Sequence, residues 1–124
     1  MSYQPAAGSI TFVKGNALKN SSGYLTNAAS GDNTDVKYVC MENKVTGATD
    51  GELLLVIEVT GVKFIADSSN TPTQAQMKTQ VDLSAAGTID TSATTDQVFY
   101  AEKIVGPASD KKILGYFSAG VPNS

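Results

Sequence analysis

The stretch GELLLVIEVTGVKFIAD, residues 51–67, constrains the fold more than any other part of the chain: two apolar runs hinge on Thr60-Gly61. A two-residue turn there sets Val59 opposite Val62, Ile57 opposite Phe64 and Leu55 opposite Ala66. On the other face Glu58 meets Lys63 and Val56 meets Ile65. Every pair is chemically compatible, as cross-strand neighbours should be, and Gly61 suits the positive φ of a type I′ turn. A three-residue loop with Gly61 in a bulge pairs Ile57 with Lys63 and Glu58 with Val62, which is poorer. A one-residue slip would reverse the faces, so the pattern selects the first register. It predicts a central hairpin at 52–66 with Leu53, Leu55, Ile57, Val59, Val62 and Phe64 as the core face. Leu54, Val56 and Ile65 make the other face apolar except near the turn, so the hairpin should be covered on much of both sides.

The rest of the chain is read around that hairpin. Residues 1–8, with Pro5, Ala6, Ala7 and Gly8, read as a flexible N-terminal arm, and residues 119–124 as a tail. Between them a single β-rich domain is expected over 9–118, in keeping with a length of 124 residues. Short strands are predicted at Ile10–Val13, Val36–Met41, Gln80–Leu83 and Thr88-Ile89, while Ala17–Lys19 reaches a turn at 20–23 and Tyr24-Leu25 begins another extended piece. Val98–Val105 and Lys111–Phe117 form a final antiparallel pair around a turn at 106–110. The polar stretches 27–35, 43–51 and 91–96 are loops by composition. Thr71-Pro72 supplies an N-cap and a first-turn proline, so 73–78 is the one place for a short helix. No repeat and no interior linker is legible. About eight short strands at close spacing predict an all-β fold, a small antiparallel β-barrel or β-sandwich.

Charge and composition narrow the function. Only 17% of the residues are charged, and Ser, Thr, Asn and Gly carry the remaining polarity, which favours turns and solvated strand faces. The net charge is −3 and all nine basic residues are Lys, dispersed along the chain. There is no guanidinium for bidentate contacts to phosphate or guanine and no basic stripe, which argues against nucleic acid. Cys40 is the sole cysteine, so it has no intrachain disulfide partner, and its neighbours Val39 and Met41 mark it as a buried apolar residue. The N-terminus lacks the basic and apolar regions of a signal peptide. The longest apolar run, Leu53–Ile57, is far short of a membrane span. Membrane partners are not expected.

The chemistry of catalysis is sparse. With no His, the Ser-His-Asp and Cys-His nucleophile systems are removed, together with the commonest transition-metal ligand. Neither phosphate-cradling glycine motif occurs. Gly31-Asp32-Asn33-Thr34-Asp35 has the acidity of a calcium loop but not its spacing or distal Glu, so an Asx turn is the simpler reading. Asn20-Ser21-Ser22 matches a glycosylation sequon without a secretory signal. Ser109 and Lys112 have the spacing of a Ser-Lys pair but fall in a surface turn. Catalytic residues, metal ligands and cofactors are accordingly expected to be none.

The order of features does resemble a family. Gly23-Tyr24-Leu25-Thr26-Asn27-Ala28-Ala29 precedes a loop and a Val-Cys strand, then Asp50-Gly51-Glu52-Leu53, then Val62-Lys63-Phe64. Val81-Asp82-Leu83, Gly87-Thr88-Ile89-Asp90 and Lys112-Ile113-Leu114-Gly115-Tyr116-Phe117 follow. Over residues 20–118 this resembles the decoration, or cement, proteins that coat the heads of tailed bacteriophages, the lambda type among them. The resemblance implies a compact β-rich virion protein without enzymatic activity, made in the host cytoplasm. It implies a homo-oligomer, often a trimer, bound outside the shell where major capsid protein subunits meet. In lambda-type members an N-terminal arm contacts the shell, which nominates Ser2, Tyr3, Gln4, Pro5, Ala6 and Ala7 as capsid-binding residues, ordering there as an added strand. The competing expectation is a carbohydrate-binding or adhesin-like β-sandwich using Tyr24 or Tyr100, although five Tyr, four Phe and no Trp leave few aromatics beyond the core.

Overall fold

The computed structural model describes residues 1–32 and 35–118. The expected tail at 119–124 lies outside the described residues, as do Asn33 and Thr34 of the Asp32 loop. Twelve strands are present among the described residues: β1 (Ser2–Ala6), β2 (Thr11–Phe12), β3 (Ala17–Ser21), β4 (Tyr24–Asn27), β5 (Val36–Cys40), β6 (Lys44–Val45), β7 (Glu52–Glu58), β8 (Phe64–Ser68), β9 (Thr79–Ala85), β10 (Thr88–Asp90), β11 (Phe99–Ile104) and β12 (Lys112–Phe117). The fold is all-β, and its helical content is short 3-10 turns such as Gln74–Gln76. The helix site predicted after Pro72 is thus one turn long. It starts beyond Thr73, whose N–H donates to Gln76 Oε1 at 3.0 Å.

The strands close into two five-stranded barrels, one ordered β1-β4-β3-β5-β7 and the other β10-β8-β12-β11-β9, beside a small ribbon of β2 and β6. The central hairpin at 52–66 does not form. β7 pairs with β1 from Ser2↔Val56 to Ala6↔Glu52 and with β5 at Tyr38↔Glu58 to Cys40↔Val56. β8 pairs instead with β12 and β10. The turn itself is real: Val62 N–H donates to Val59 C=O at 3.1 Å, and Gly61 has φ 70°. Thr60 keeps a negative φ, so the turn has the type II pattern, whose twist splays the flanking strands where type I′ would have joined them. Thr60-Gly61 therefore marks the crossing from one barrel to the other. The two-residue I′ hairpin occurs elsewhere, between β3 and β4, where Ser22 and Gly23 have φ 53° and 91°.

This rearrangement reverses the predicted faces of β7. Leu54 and Val56 are wholly buried in the first barrel with Ala6, Phe12, Leu18, Leu25 and Cys40, whereas Leu53 is 54% exposed. Val59 is buried, Ile57, Phe64 and Ala66 pack partly against the larger cluster, and Ile65 is exposed. Glu58 and Lys63 do not pair. Glu58 accepts from Thr60 Oγ1, and Lys63 binds Glu102 at 3.2 Å.

The two barrels share one topology. Taking the strands of each ring in chain order, the first runs parallel to the third, at Ala6↔Leu25 in one and Ser68↔Ile89 in the other. Third pairs with second, second with fourth, fourth with fifth and fifth with first, all antiparallel, in both rings. Even the bond beyond each parallel bridge recurs: Ala7 N–H to Leu25 C=O at 2.9 Å, and Ser69 N–H to Ile89 C=O at 2.8 Å. The chain that reads as having no repeat is a structural tandem. The strand pairing makes Leu54, Leu55 and Val56 the counterparts of Ile113, Leu114 and Gly115. The final strand pair, β11 with β12, forms as predicted.

The barrels are packed against each other through apolar side chains. Ala17, Ala28, Val36, Val39 and Val59 of the first half join Val81, Leu83, Ile89, Phe99, Ile113 and Phe117 of the second in one cluster. Phe117 lies edge-on to Phe64 and Phe99, with ring centroids 5.5 and 5.1 Å apart. A backbone bond from Ala17 N–H to Ala86 C=O, 2.7 Å, crosses the junction.

Candidate functional site

The N-terminal residues nominated for a shell contact are part of the first barrel. Ser2–Ala6 form β1, which lies along β7 for its full length. Of the six candidates, Ser2 and Tyr3 are exposed, Gln4, Pro5 and Ala7 are half-buried, and Ala6 is wholly buried in the barrel core. Alternation decides this. Residues at 4 and 6 share the inner face with Leu54, and residues at 3 and 5 share the outer face with Leu55 and Leu53.

That outer face is apolar and reaches solvent. Tyr3 lies opposite Leu55 and Pro5 opposite Leu53, while Lys44 Nζ donates to Leu53 C=O at 2.9 Å and so draws β6 alongside. Tyr3, Leu53 and Val45, the last 71% exposed, are among the most exposed large apolar residues of the molecule, and Met1 precedes them. The register prediction missed this surface because it placed Leu53 and Leu55 in the core. Pro5 and Leu53 at matched positions would have found it only with β1 recognised as a strand.

The backbone of β1 is open on one side. Leu55 turns its N–H to Glu42 Oε2 (2.7 Å) and its C=O to Met41 N–H (2.9 Å), away from Tyr3. Tyr3 therefore directs its own N–H and C=O to the opposite edge, where β4 meets β1 only at Ala6. Pro5 on that edge lacks the donor a further strand would use, a device that limits edge-to-edge association.

A cleft of about 240 Å³ lies between the barrels, floored by Val39, Phe64, Leu83, Ile89 and Phe117. Asp67 is the sole carboxylate among its lining residues, and it pairs with Lys112 on the neighbouring strand. Among the described residues, no three His, Cys, Asp or Glu side chains come together as a metal site. Asp32 accepts from Ala29 N–H at 2.7 Å and pairs with Lys19 at 3.2 Å, and the N–H that an Asx turn would engage belongs to Thr34, outside the described residues. Asn20 Oδ1 accepts from Gly23 N–H within the β3–β4 turn, and Ser109 is exposed in a 3-10 turn. Cys40 is buried and donates to Glu42 C=O; burial is the main cause that raises its thiol pKa above the usual range. Asp82, also buried, accepts backbone N–H bonds from Thr95, Asp96 and Gln97 and so fastens the 91–97 loop to β9. Tyr24 and Tyr100, the candidate sugar platforms, are half-buried and belong to different barrels.

These features define a tandem β-barrel protein whose most prominent surface is an apolar sheet face at its N-terminal strand. No family profile matches the chain, and no curated protein matches it in sequence.

Proposed function

We propose that this protein is a structural virion component that binds the outer surface of a tailed-phage capsid, contacts the major capsid protein and stabilises the shell without catalysing a reaction. The observation that supports it is the exposed apolar face of β1 and β7, where Tyr3 and Leu53 turn outward on adjacent strands. Large apolar side chains grouped on a surface mark an interaction site more often than singly scattered ones do. A shell repeats its subunits, so a modest contact per copy suffices for dense coverage when neighbouring copies also touch. Contact through a sheet face also fits the buried position of Ala6: the strand stays in its barrel, and the outward side chains meet the shell.

The test is cosedimentation with expanded, undecorated heads of the phage that encodes the chain. Leu53→Glu and Tyr3→Glu should each weaken binding at least tenfold, while Ile65→Glu, on the second barrel, should bind as wild type. Equal occupancy for all three would refute the assignment of this face. Deletion of residues 1–8 is unsuitable as a test, because it removes β1 and opens the first barrel.

A further inference from the structure

The tandem makes two faces of the molecule comparable. Within the chain, the first barrel covers the second with the outer side of its second, fourth and fifth strands, where Ala17 lies opposite Val39 and Val39 opposite Ile57. That side meets the β9–β10 turn through the Ala17–Ala86 backbone bond, and it faces the open edge of β8 at Phe64–Ala66 across the cleft between the barrels. Strand pairing gives the equivalent of each part in the other barrel. Ala17, Val39 and Ile57 correspond to Gln80, Tyr100 and Tyr116, which are likewise neighbours, Gln80↔Tyr100↔Tyr116. The β9–β10 turn corresponds to Ser22-Gly23, and the open β8 edge to the open β1 edge at Tyr3.

Among the described residues, neither counterpart is packed against another barrel; Ser118 Oγ donates to Gln80 Oε1 at 2.8 Å at the margin of the tyrosine face. Gln80 is exposed, Tyr100 and Tyr116 are half-buried, and Lys63 stands 5.5 Å over the Tyr116 ring. The residue types differ in a telling way. Where the face is permanently covered it is Ala, Val and Ile; where it is open it is Gln and two Tyr. Tyrosine presents an apolar ring with a polar tip, which tolerates water before association and supplies contact area after it.

We propose that copies of this protein dock head to tail. The Gln80–Tyr100–Tyr116 face of one copy seats on the β3–β4 turn and β1 edge of the next, repeating between chains the interface that joins the barrels within one. The occupant is a second copy because the interface already formed inside the chain is continued by it, face for face. Such a contact is heterologous, so it closes into a ring or extends as a row according to the rotation between barrels.

Sedimentation velocity over a concentration series tests this without any capsid, so its outcome stands apart from that of the shell-binding assay. Wild type should associate, and Tyr100→Glu or Ser21→Glu should each weaken self-association at least tenfold. Gln80→Glu, at an exposed position on the Tyr100 face, serves as the second variant should Tyr100→Glu fail to fold, as judged by circular dichroism. The decisive arm mixes two blocked variants. Gln80→Glu keeps the turn face and Ser21→Glu keeps the tyrosine face, so an equimolar mixture should form dimers and nothing larger. A wild type that stays monomeric at millimolar concentration overturns the proposal, as does association untouched by the variants. A mixture that fails to dimerise although each variant is folded also overturns it.

Discussion

Leu53 and Leu54 are adjacent, chemically identical and opposite in their predicted response to truncation. In the two-barrel arrangement Leu54 is wholly buried in a cluster with Ala6, Leu18, Leu25 and Val56, while Leu53 is more than half exposed on the outer face. Leu54→Ala removes a buried isobutyl group and leaves a cavity that a ring of paired strands cannot easily collapse. Such replacements cost about 2–5 kcal/mol, and a value of about 3 kcal/mol is expected here. At this chain length that is a fall in Tm of roughly 10 °C, since each kcal/mol moves Tm by about 3–5 °C between the small and large domain ranges. Leu53→Ala should change stability by less than about 0.5 kcal/mol, as surface substitutions usually do. Urea unfolding, with the slope m held common to the variants, measures both. A hairpin with Leu53 and Leu55 in its core demands the reverse order. Should Leu53→Ala prove the costlier change, the strand assignment of β7 and the tandem built on it would both be wrong.

Three further outcomes follow from single sites. Gly115→Ala should destabilise by at least about 3 kcal/mol, the upper end of ordinary overpacking, because its Cβ would lie 2.0 Å from Tyr100 C=O and 2.7 Å from the Phe99 ring; a variant that melts with wild type refutes the β11–β12 register. Cys40 should be inert to a thiol reagent in the native state and react fully on unfolding, and stability should decline as the pH rises through the ordinary thiol range, since its folded pKa lies above the unfolded one. Lys63 is raised chiefly by its hydrogen bond to Glu102, so that link is fully present below the ordinary lysine pKa and lost as pH rises through the folded value. A Lys63→Met variant should therefore differ most from wild type near neutrality and converge with it in strong base, as followed by chemical denaturation across pH.

Most strands were legible because alternation and turn residues are local; β1, read as an arm, and β6, read as loop, were not, and nor were the strands' partners. Val36–Met41, Gln80–Leu83 and Lys111–Phe117 fall on β5, β9 and β12 within a residue or two. Thr60-Gly61 misleads because types I′ and II both take Gly at the second position, and the difference lies in the φ of Thr60. The double-faced apolarity of β7 is misleading for a related reason. Its inner face is covered by the first barrel, while Ile57 on the outer face is partly covered by the second and Leu53 stays 54% exposed among the described residues. Sequence pattern records that a face is apolar, not what covers it. The repeat was hidden because its equivalent positions conserve role more than identity: Leu54 and Ile113 both fill cores, Leu25 and Ile89 both sit at the parallel bridge, and Tyr3 and Ile65 are both exposed. Of the N-terminal candidates, Tyr3 and Pro5 turn outward while Gln4 and Ala6 turn inward, and only a strand assignment reveals which of two neighbours points inward.

The shared core explains why the exposed apolar surface can be spared from folding. A ring of about sixty residues is near the lower limit for an independent domain, burying only about 60% of its unfolded surface. Each barrel here closes by a parallel seam of one or two bridges and leaves the leading residues of its first strand unpaired on that side. In the second barrel that weak edge faces the first barrel across the cleft, beside the Ala17–Ala86 bond at the β9–β10 turn. In the first barrel nothing within the described chain seals it, and Pro5 guards it instead. Buried core and exposed apolar surface thus separate along the tandem. The junction between barrels supplies the buried area that neither ring supplies alone, and this frees β1 and the outer side of β7 to hold Tyr3 and Leu53 in water. A side chain the size of Leu53 adds about 1.5–3 kcal/mol when fully buried, and this fold leaves that gain unused. Contact with another surface would recover it, which makes the N-terminal sheet face, rather than the cleft or the polar loops, the place to seek the partner.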